Sequence, residues 1–373
     1  MPTTRLKRIF ITGGEGYIGR YLIEKLLPRV DLSLILLVQN IDSYQSDSRV
    51  TVIVDDLINI RRYKELLSSV DVIIHLAATW SSEDAEQVNV HPVRFFLSLE
   101  KRFIYFSTES ILDNKGNVDR YCLTCSRPYI ETKAVAQRLV DQAAAGRTDV
   151  HTIFPTVILD YNEHAKRSPL NSRLENIDLA FFEIFKYFSI SGSFNFIHIC
   201  DLISITVFIL DNDVSEKRLI IGNPPITLDE GLNAFADRPY PGAVKPDWNG
   251  YFLSLVDVLE SLSSSKLLFA FITGILRVLG ISGTRRLTRY ELHCLRDLSR
   301  GKACFANEQH AIVYLHKDFS KTLNRCHPQS INSGYSRFFA RMLVLAVRGI
   351  ARLGYRMRRN TSHNEKNSSR DPL

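Results

Sequence analysis

Apolar positions in the first 225 residues come in short, nearly unbroken runs, and between the runs apolar residues recur every three or four positions. The runs are Arg8–Thr12, Leu34–Val38, Val50–Val54, Val70–His75, Phe103–Ser107, Val150–Phe154 and Leu219–Gly222. A strand covered on both faces is apolar throughout, so segments such as Asp71-Val-Ile-Ile-His75 predict a parallel sheet packed between helices. Helical spacing occupies Gly19–Leu27, Ile60–Leu67, Gln87–Leu99 and Tyr129–Gln142. This alternation predicts an α/β protein with a Rossmann-type doubly wound parallel sheet. From about Pro224 the rhythm weakens. Helical patterns over Leu228–Ala236, Leu253–Leu262 and Lys266–Leu279, with a Pro-rich stretch Arg238–Pro246, predict a smaller, mostly helical C-terminal region.

The first run ends in a glycine-rich turn, Thr12-Gly13-Gly14-Glu15-Gly16-Tyr17-Ile18-Gly19, and a helical pattern follows at once. Each glycine has a separate physical task in such a turn. Gly13 permits the tight reversal, Gly16 lets backbone approach a pyrophosphate, and Gly19 lets the helix pack closely. The helix start then offers unpaired N–H groups to the anion. Strand, glycines and helix in this order, at the extreme N-terminus of the chain, predict dinucleotide binding.

A second constellation lies in the middle of the chain. Tyr129-Ile-Glu-Thr-Lys133 sets a phenol and an ammonium four residues apart, on one face of a helix. A nearby ammonium favours the phenolate and draws a tyrosine from its usual pKa of ~10 toward working pH. Ser107 and Thr108 end a buried strand, where parallel sheets place their ligand contacts. A hydroxyl there can hold a substrate carbonyl or alcohol beside the tyrosine.

With these motifs in this order, the chain resembles the extended short-chain dehydrogenase/reductase family, the NAD-dependent epimerases and dehydratases, closely over residues 6–225 and loosely beyond. The glycine turn is similar to the family's TGGxGYIG cofactor loop, which implies cofactor contacts from Gly13, Gly16, Tyr17, Ile18 and Gly19. Asp56-Leu57 resembles the acidic pair that contacts adenine, and His75-Leu76-Ala77-Ala78 the HLAA turn beside the cofactor. Asn89 falls in the helix after that turn. Phe103-Ile-Tyr-Phe-Ser107-Thr108 resembles the strand ending in the catalytic Ser/Thr. Tyr129 and Lys133 match the YxxxK pair, Pro155-Thr156 the loop near the nicotinamide, and Asn195-Phe-Ile-His198-Ile-Cys-Asp201 the FVHVxD segment over the substrate region. The resemblance implies hydride transfer. Tyr129 would exchange a proton with the substrate oxygen, Thr108 would hydrogen-bond that oxygen, and Lys133 would tune the tyrosine and hold the nicotinamide ribose. Leu76, Ala77, Ala78, Asn89, Ser107 and Pro155 would join Tyr129, Lys133 and the glycine loop around the cofactor.

The chain departs from the family at three points. Val38-Gln39-Asn40 stands where an acidic residue would grip the ribose 2′-OH of NAD, and no basic residue stands there for a 2′-phosphate; NAD is the expected cofactor and NADP is not excluded. Thr108-Glu109-Ser110 replaces the Thr-Asp-Glu of the sugar 4,6-dehydratases, and loss of the second carboxylate argues against dehydration. Phe154-Pro155 replaces an Arg-Pro pair. The leading function is an NAD(P)-dependent oxidoreductase or epimerase acting on a nucleotide-linked sugar, with surface polysaccharide as a destination. A 3β-hydroxysteroid-dehydrogenase-like enzyme of a hydrophobic alcohol is the runner-up. A catalytically silent nucleotide-sensing protein is the third reading, and the Thr108–Tyr129–Lys133 set argues against it.

Charge and composition then fix the periphery. Residues 331–373 carry nine Lys/Arg and two Asp/Glu, so the whole net charge of +7 lies there and the rest of the chain is balanced. On a helix Arg337, Arg341, Arg348, Arg352, Arg356 and Arg359 gather on one side, the pattern of an interfacial helix on anionic lipid. No nucleic-acid recognition module accompanies them, so nucleic acid is not an expected partner. The apolar stretch 266–280 reads equally as a core helix or a membrane contact, being shorter than the ~20 apolar residues a spanning helix requires. Absence of a leader-like N-terminus and six cysteines without a disulfide framework imply a cytoplasmic protein, peripheral on the inner face of a membrane. Cys122 and Cys125 form a lone CxxC without a second ligand pair, so no metal is expected. The resulting division is a dinucleotide-binding domain over 1–225 with substrate-region insertions from about 156–200, a substrate region over 226–335, a basic amphipathic helix over 336–359, a disordered tail over 360–373, and a homodimer as the assembly.

If the basic helix lies on lipid, truncation before Arg337 should abolish sedimentation with anionic vesicles. Full-length protein should bind them and be released by salt, since each surface arginine contributes ~1 kcal/mol that salt screens. Equal behaviour of both proteins at low salt would exclude the membrane role.

Overall fold

The computed structural model describes residues 5–40, 47–81, 83–113, 115–123, 128–159, 193–227 and 312–314. The patterns noted over 228–279, the basic helix and the tail lie outside these residues. The chain divides into two compact units. The first comprises residues 1–159, 195–225 and 303–316; the second comprises 160–194, 226–302 and 317–373.

The first unit is built on an eight-stranded parallel sheet. Its strands are β1 (Lys7–Thr12), β2 (Leu32–Val38), β3 (Val50–Val54), β4 (Val72–His75), β5 (Arg102–Phe106), β6 (Val150–Pro155), β10 (Arg218–Gly222) and β12 (Ile312–Tyr314). They lie in the order β3-β2-β1-β4-β5-β6-β10-β12. From β3 to β6 this is the doubly wound order, whose direction of winding reverses between β1 and β4. Two further strands of the unit, β7 (Val157–Leu159) and β9 (Phe196–His198), pair in parallel outside the large sheet. In the second unit β8 (Ser193–Phe194) pairs antiparallel with β11 (Ile226–Thr227).

Side chains alternate between two cores, one on each face of the sheet. Ile9 and Ile11 of β1, Val72 and Ile74 of β4, and Ile104 and Phe106 of β5 face helix α1 (Tyr17–Leu26) and helix α6 (Ile199–Asp211). Phe10, Ile73, Phe103 and Tyr105 face α4 (His91–Ser98) and α5 (Pro128–Gly146) on the other side. Helix α1 buries Gly19, Leu22, Ile23 and Leu26, and α5 buries Ile130, Lys133, Ala134, Gln137 and Ala144 among others, each along one stripe.

The sequence pattern and the structure differ where local chemistry overrides periodicity. The helix expected over Gln87–Leu99 is broken into α3 (Ala85–Asn89) and α4, because Pro92 has no N–H for the carbonyl one turn earlier. The helix expected over Ile60–Leu67 is a tight 3-10 turn, Leu57–Tyr63, followed by a short α2 (Lys64–Ser68). Asp56 starts that turn early by accepting the Ile58 N–H at 2.9 Å. Helix α6 has no counterpart in the periodicity, since Ile203-Ser-Ile-Thr-Val-Phe-Ile209 is rich in β-branched residues. It forms because the imidazole of His198 caps its first turn at Cys200 N and because Leu202, Ile203, Ile209 and Leu210 pack into the core; the Ser204 and Thr206 hydroxyls are satisfied by carbonyls one turn back.

At the reversal point β1 and β4 are pinned side by side. Thr12 Oγ1 lies 2.7 Å from His75 Nδ1, accepts the Ala77 N–H at 3.3 Å, and the Thr12 carbonyl accepts the Leu76 N–H at 3.2 Å. The neutral imidazole that burial favours can accept the hydroxyl proton at Nδ1 while the same hydroxyl accepts from Ala77. His75 is buried, stacked on Phe103 and Tyr105 and edge-on to Phe96. Burial, and secondarily the Lys133 charge, lower its pKa to about 3.

This pin predicts acid sensitivity with a definite sign. Between about pH 6.5 and about 3 the unfolded chain takes up a proton at His75 that the folded chain refuses, so stability falls as pH falls. At its steepest this residue contributes about 1.4 kcal/mol per pH unit. In denaturant unfolding the stability gap between wild type and His75→Gln should narrow between about pH 7 and about pH 5. A gap that stays constant would show that His75 titrates normally.

Candidate active site

The glycine turn is shaped by what its missing side chains would strike. Gly13 has φ +74°, and a Cβ on it would lie 2.7 Å from Ala77 N. A Cβ on Gly19 would come within 2.2 Å of Gly13 O, so the start of α1 rests directly on the turn. Gly16 differs: its Cβ would meet only Gly13 O, at 3.1 Å, and otherwise open space. The backbone of Gly16 is ordinary extended chain, so φ does not require glycine there, and the one tight contact is far milder than those at Gly13 and Gly19. Helix α1 begins at Gly16 without a side-chain cap, leaving its first N–H groups facing the same space. Tyr17 and Ile18 open the helix and pack on the core, Tyr17 edge-on to Tyr21.

Across the crevice, Leu76 and Ala77 are half-buried in the turn after β4, and Ala78 continues it. Asp56 caps the turn that buries Leu57. Asn89 is buried with its amide fully engaged: Oδ1 accepts the Thr79 N–H at 2.8 Å, and Nδ2 donates to Thr79 O and Thr132 Oγ1, both at 3.0 Å. Asn89 thus braces the segment after Ala78 against α5, so its influence on a ligand runs through Thr79 and the Tyr129 turn.

On α5, Lys133 belongs to the buried stripe and is 3% exposed. Its Nζ donates to the Phe106 carbonyl at 2.8 Å and to Tyr105 Oη at 3.3 Å, and sits 4.7 Å from the Tyr105 ring centre. Among the described residues no carboxylate compensates the charge, and desolvation lowers the lysine pKa to about 7. Burial, and then Tyr129, push the Tyr105 phenol far above its usual range, so Tyr105 stays protonated. These bonds dock the Tyr129–Lys133 turn against the end of β5, immediately before Ser107 and Thr108. Ser107 Oγ is buried without a hydrogen-bond partner among the described residues. Thr108 Oγ1 accepts the Ser110 N–H and caps the next turn. Pro155 closes β6 on the neighbouring strand.

Two residues enter this site without a signal in the motifs. Trp80 stacks on Tyr129, with ring centres 4.3 Å apart and planes 4° from parallel, and its indole is exposed. Tyr105 holds Lys133; a phenol inside the apolar strand Phe103-Ile-Tyr-Phe106 needs a partner, and that was its visible trace in the sequence. The groups gathered at this turn of α5 and the end of β5 are a phenol, a buried ammonium and two hydroxyls.

A glycine turn at the switch point of a doubly wound sheet, faced by a tyrosine and a buried lysine on one helix turn, defines a dinucleotide-dependent enzyme core. The model of the NAD dependent epimerase/dehydratase family matches residues 9–222, and the chain belongs to that family, whose dinucleotide is NAD. The open space at Gly16 and the orphaned Ser107 hydroxyl fit such a ligand. A relative from Stigmatella aurantiaca, a 4-hydroxy-2-methyl-3-oxo-4-farnesyl-3,4-dihydroquinoline-1-oxide ketoreductase, is 33% identical over 153 residues. The match covers 36% of this chain and 46% of that relative, so the chain spans about half the relative's length. Among solved structures, MoeE5 in complex with UDP-glucuronic acid and NAD has a TM-score of 0.48 at 18% identity, covering 64% of this chain and 86% of the other. A UDP-glucuronic acid 4-epimerase variant from Bacillus cereus has a TM-score of 0.45 at 19% identity, covering 64% and 85%. Family membership rests on the match across residues 9–222 and not on these distant likenesses.

The buried lysine predicts an alkaline counterpart to His75. Between about pH 7 and about 10.5 the unfolded chain holds a proton on Lys133 that the folded chain has lost, so stability rises with pH across that window. The steepest contribution is about 1.4 kcal/mol per unit. Lys133→Met should lose this rise in denaturant unfolding followed from neutral to alkaline pH. An identical pH profile in wild type and variant would place the lysine charge in water.

Proposed function

We propose that the chain is an oxidoreductase or epimerase in which Tyr129 exchanges a proton with a substrate hydroxyl or carbonyl oxygen. The observation that carries this reading is the docking of the Tyr129–Lys133 turn on the end of β5 through the Phe106 carbonyl and the Tyr105 phenol. The dinucleotide, when bound, accepts or returns the hydride. The glycine turn and the start of α1 would hold its pyrophosphate, and Asp56, Leu57, Leu76, Ala77 and Ala78 would border its adenosine half. Lys133 has a third N–H for the nicotinamide ribose, and Ser107 and Pro155 would lie by the nicotinamide. Thr108 would hydrogen-bond the reacting oxygen and hold it for proton transfer.

The substrate we assign is a nucleotide-linked sugar, as the epimerase/dehydratase family suggests; a role in surface polysaccharide would follow from it. A second reading, reduction of a ketone on a hydrophobic molecule, is favoured by the Stigmatella aurantiaca ketoreductase and by the exposed indole of Trp80 stacked on Tyr129. Two structural roles complete the proposal: a substrate region beyond residue 225, and a membrane-facing basic helix.

Absorbance of reduced nicotinamide, recorded with a panel of nucleotide-sugars and hydrophobic ketones, separates the substrates. Tyr129→Phe should lower turnover of the active compound by about 100-fold or more while dinucleotide affinity stays within a few-fold of wild type, because only the proton-exchanging hydroxyl is removed. Near-wild-type turnover would exclude Tyr129 from proton transfer.

A further inference from the structure

In a doubly wound fold the carboxylate that holds the adenosine ribose comes from the end of the second strand. Here that end is Val38-Gln39-Asn40, which has no carboxylate. The structure fills the place from another element. The side chain of Glu15, in the glycine turn, crosses to the end of β2, where Oε1 accepts the backbone N–H of Asn40. Its own backbone is fixed from the other side, since Arg20 Nε donates to the Glu15 carbonyl at 2.8 Å.

We propose that Glu15 is the residue that selects NAD over NADP, its carboxylate accepting from the adenosine ribose hydroxyls and repelling a 2′-phosphate. This rests on the dinucleotide reading of the glycine turn. The chemistry follows from the inventory of a carboxylate. It accepts at about four lone-pair sites, so one bond from Asn40 leaves acceptors for a vicinal diol. Hydrogen bonds to an ionised acceptor are the stronger kind. A phosphate dianion brought to the same place meets like charge at close range, which is how a site rejects a competitor that differs by one group. The Asn40 N–H holds the carboxylate, and the Arg20 bond holds the backbone it hangs from, before any ligand arrives, so less side-chain freedom remains to be lost on binding. Arg20 is also a cation beside the turn, and with the carboxylate neutralised its charge would no longer be opposed there when a 2′-phosphate approaches.

Calorimetric titration of the full chain with NAD and with NADP tests this without reference to turnover. Wild type should prefer NAD. Glu15→Gln should weaken NAD and reduce the NAD-to-NADP affinity ratio by about tenfold or more. Glu15→Arg should invert it. Gly16→Val should lose both dinucleotides, which establishes that the titrations read this turn. Asp42→Asn removes the first carboxylate in the sequence after Val38-Gln39-Asn40 and should leave the ratio unchanged. An unchanged ratio in Glu15→Gln, an equal loss of both dinucleotides in that variant, or a shift of the ratio in Asp42→Asn would each overturn the assignment. Failure of wild type to bind either dinucleotide would instead overturn the cofactor reading itself.

Discussion

Two neighbouring strands whose crossovers wind in opposite directions leave a crevice at their ends, and something must keep it from splaying. Thr12 does so with both of its oxygens, tying its carbonyl to Leu76 N and its hydroxyl to Ala77 N and the His75 ring. The next residue, Gly13, then runs so close to Ala77 that no β-carbon fits between them. Turn and crevice wall are therefore one packed object. The position of Gly16, the start of α1 and the reach of Glu15 toward β2 all follow from that contact, because each is a few bonds downstream of Thr12. A neutral imidazole is part of the bargain, since a charged ring could not accept the threonine proton or remain among Phe96, Phe103 and Tyr105.

Much of the sheet was legible in the sequence, for a physical reason. Strands covered on both faces must be apolar at every position, and Leu34–Val38 and Val72–Ile74 show it without ambiguity. The glycine turn was legible because each glycine is required by a different constraint. What escaped was whatever depends on tertiary partners. The β-branched run of α6 looks like a strand until the His198 cap and the core packing of Leu202, Ile203, Ile209 and Leu210 are seen. Strand β12 comes from residue 312, far beyond the alternating region, and no local pattern announces its pairing with β10. In the site, the Tyr–Lys spacing was visible, but the anchoring of the lysine by Tyr105 and the Trp80 stack join residues from three separate segments. Asn89 shows the same limit from the other side: its position was readable, whereas the engagement of its amide by Thr79 and Thr132 was not.

Trp80 and Tyr105 approach the catalytic turn differently. Tyr105 works from inside the sheet, offering Lys133 a neutral oxygen and an aromatic face where a carboxylate would have locked the ammonium in place. Trp80 works from the solvent side and fixes the plane of the Tyr129 ring. The phenol is thereby held in orientation by stacking.

The Lys133 environment has a consequence for how ligands bind. With its pKa near 7 and only neutral oxygens as partners, the dinucleotide-free protein holds this side chain as a mixture of ammonium and amine around neutrality. A ligand that favours the ammonium must then recruit a proton from solution as it docks. Affinity becomes a function of proton activity, and the measured heat of association includes the ionisation enthalpy of whatever buffer supplies that proton.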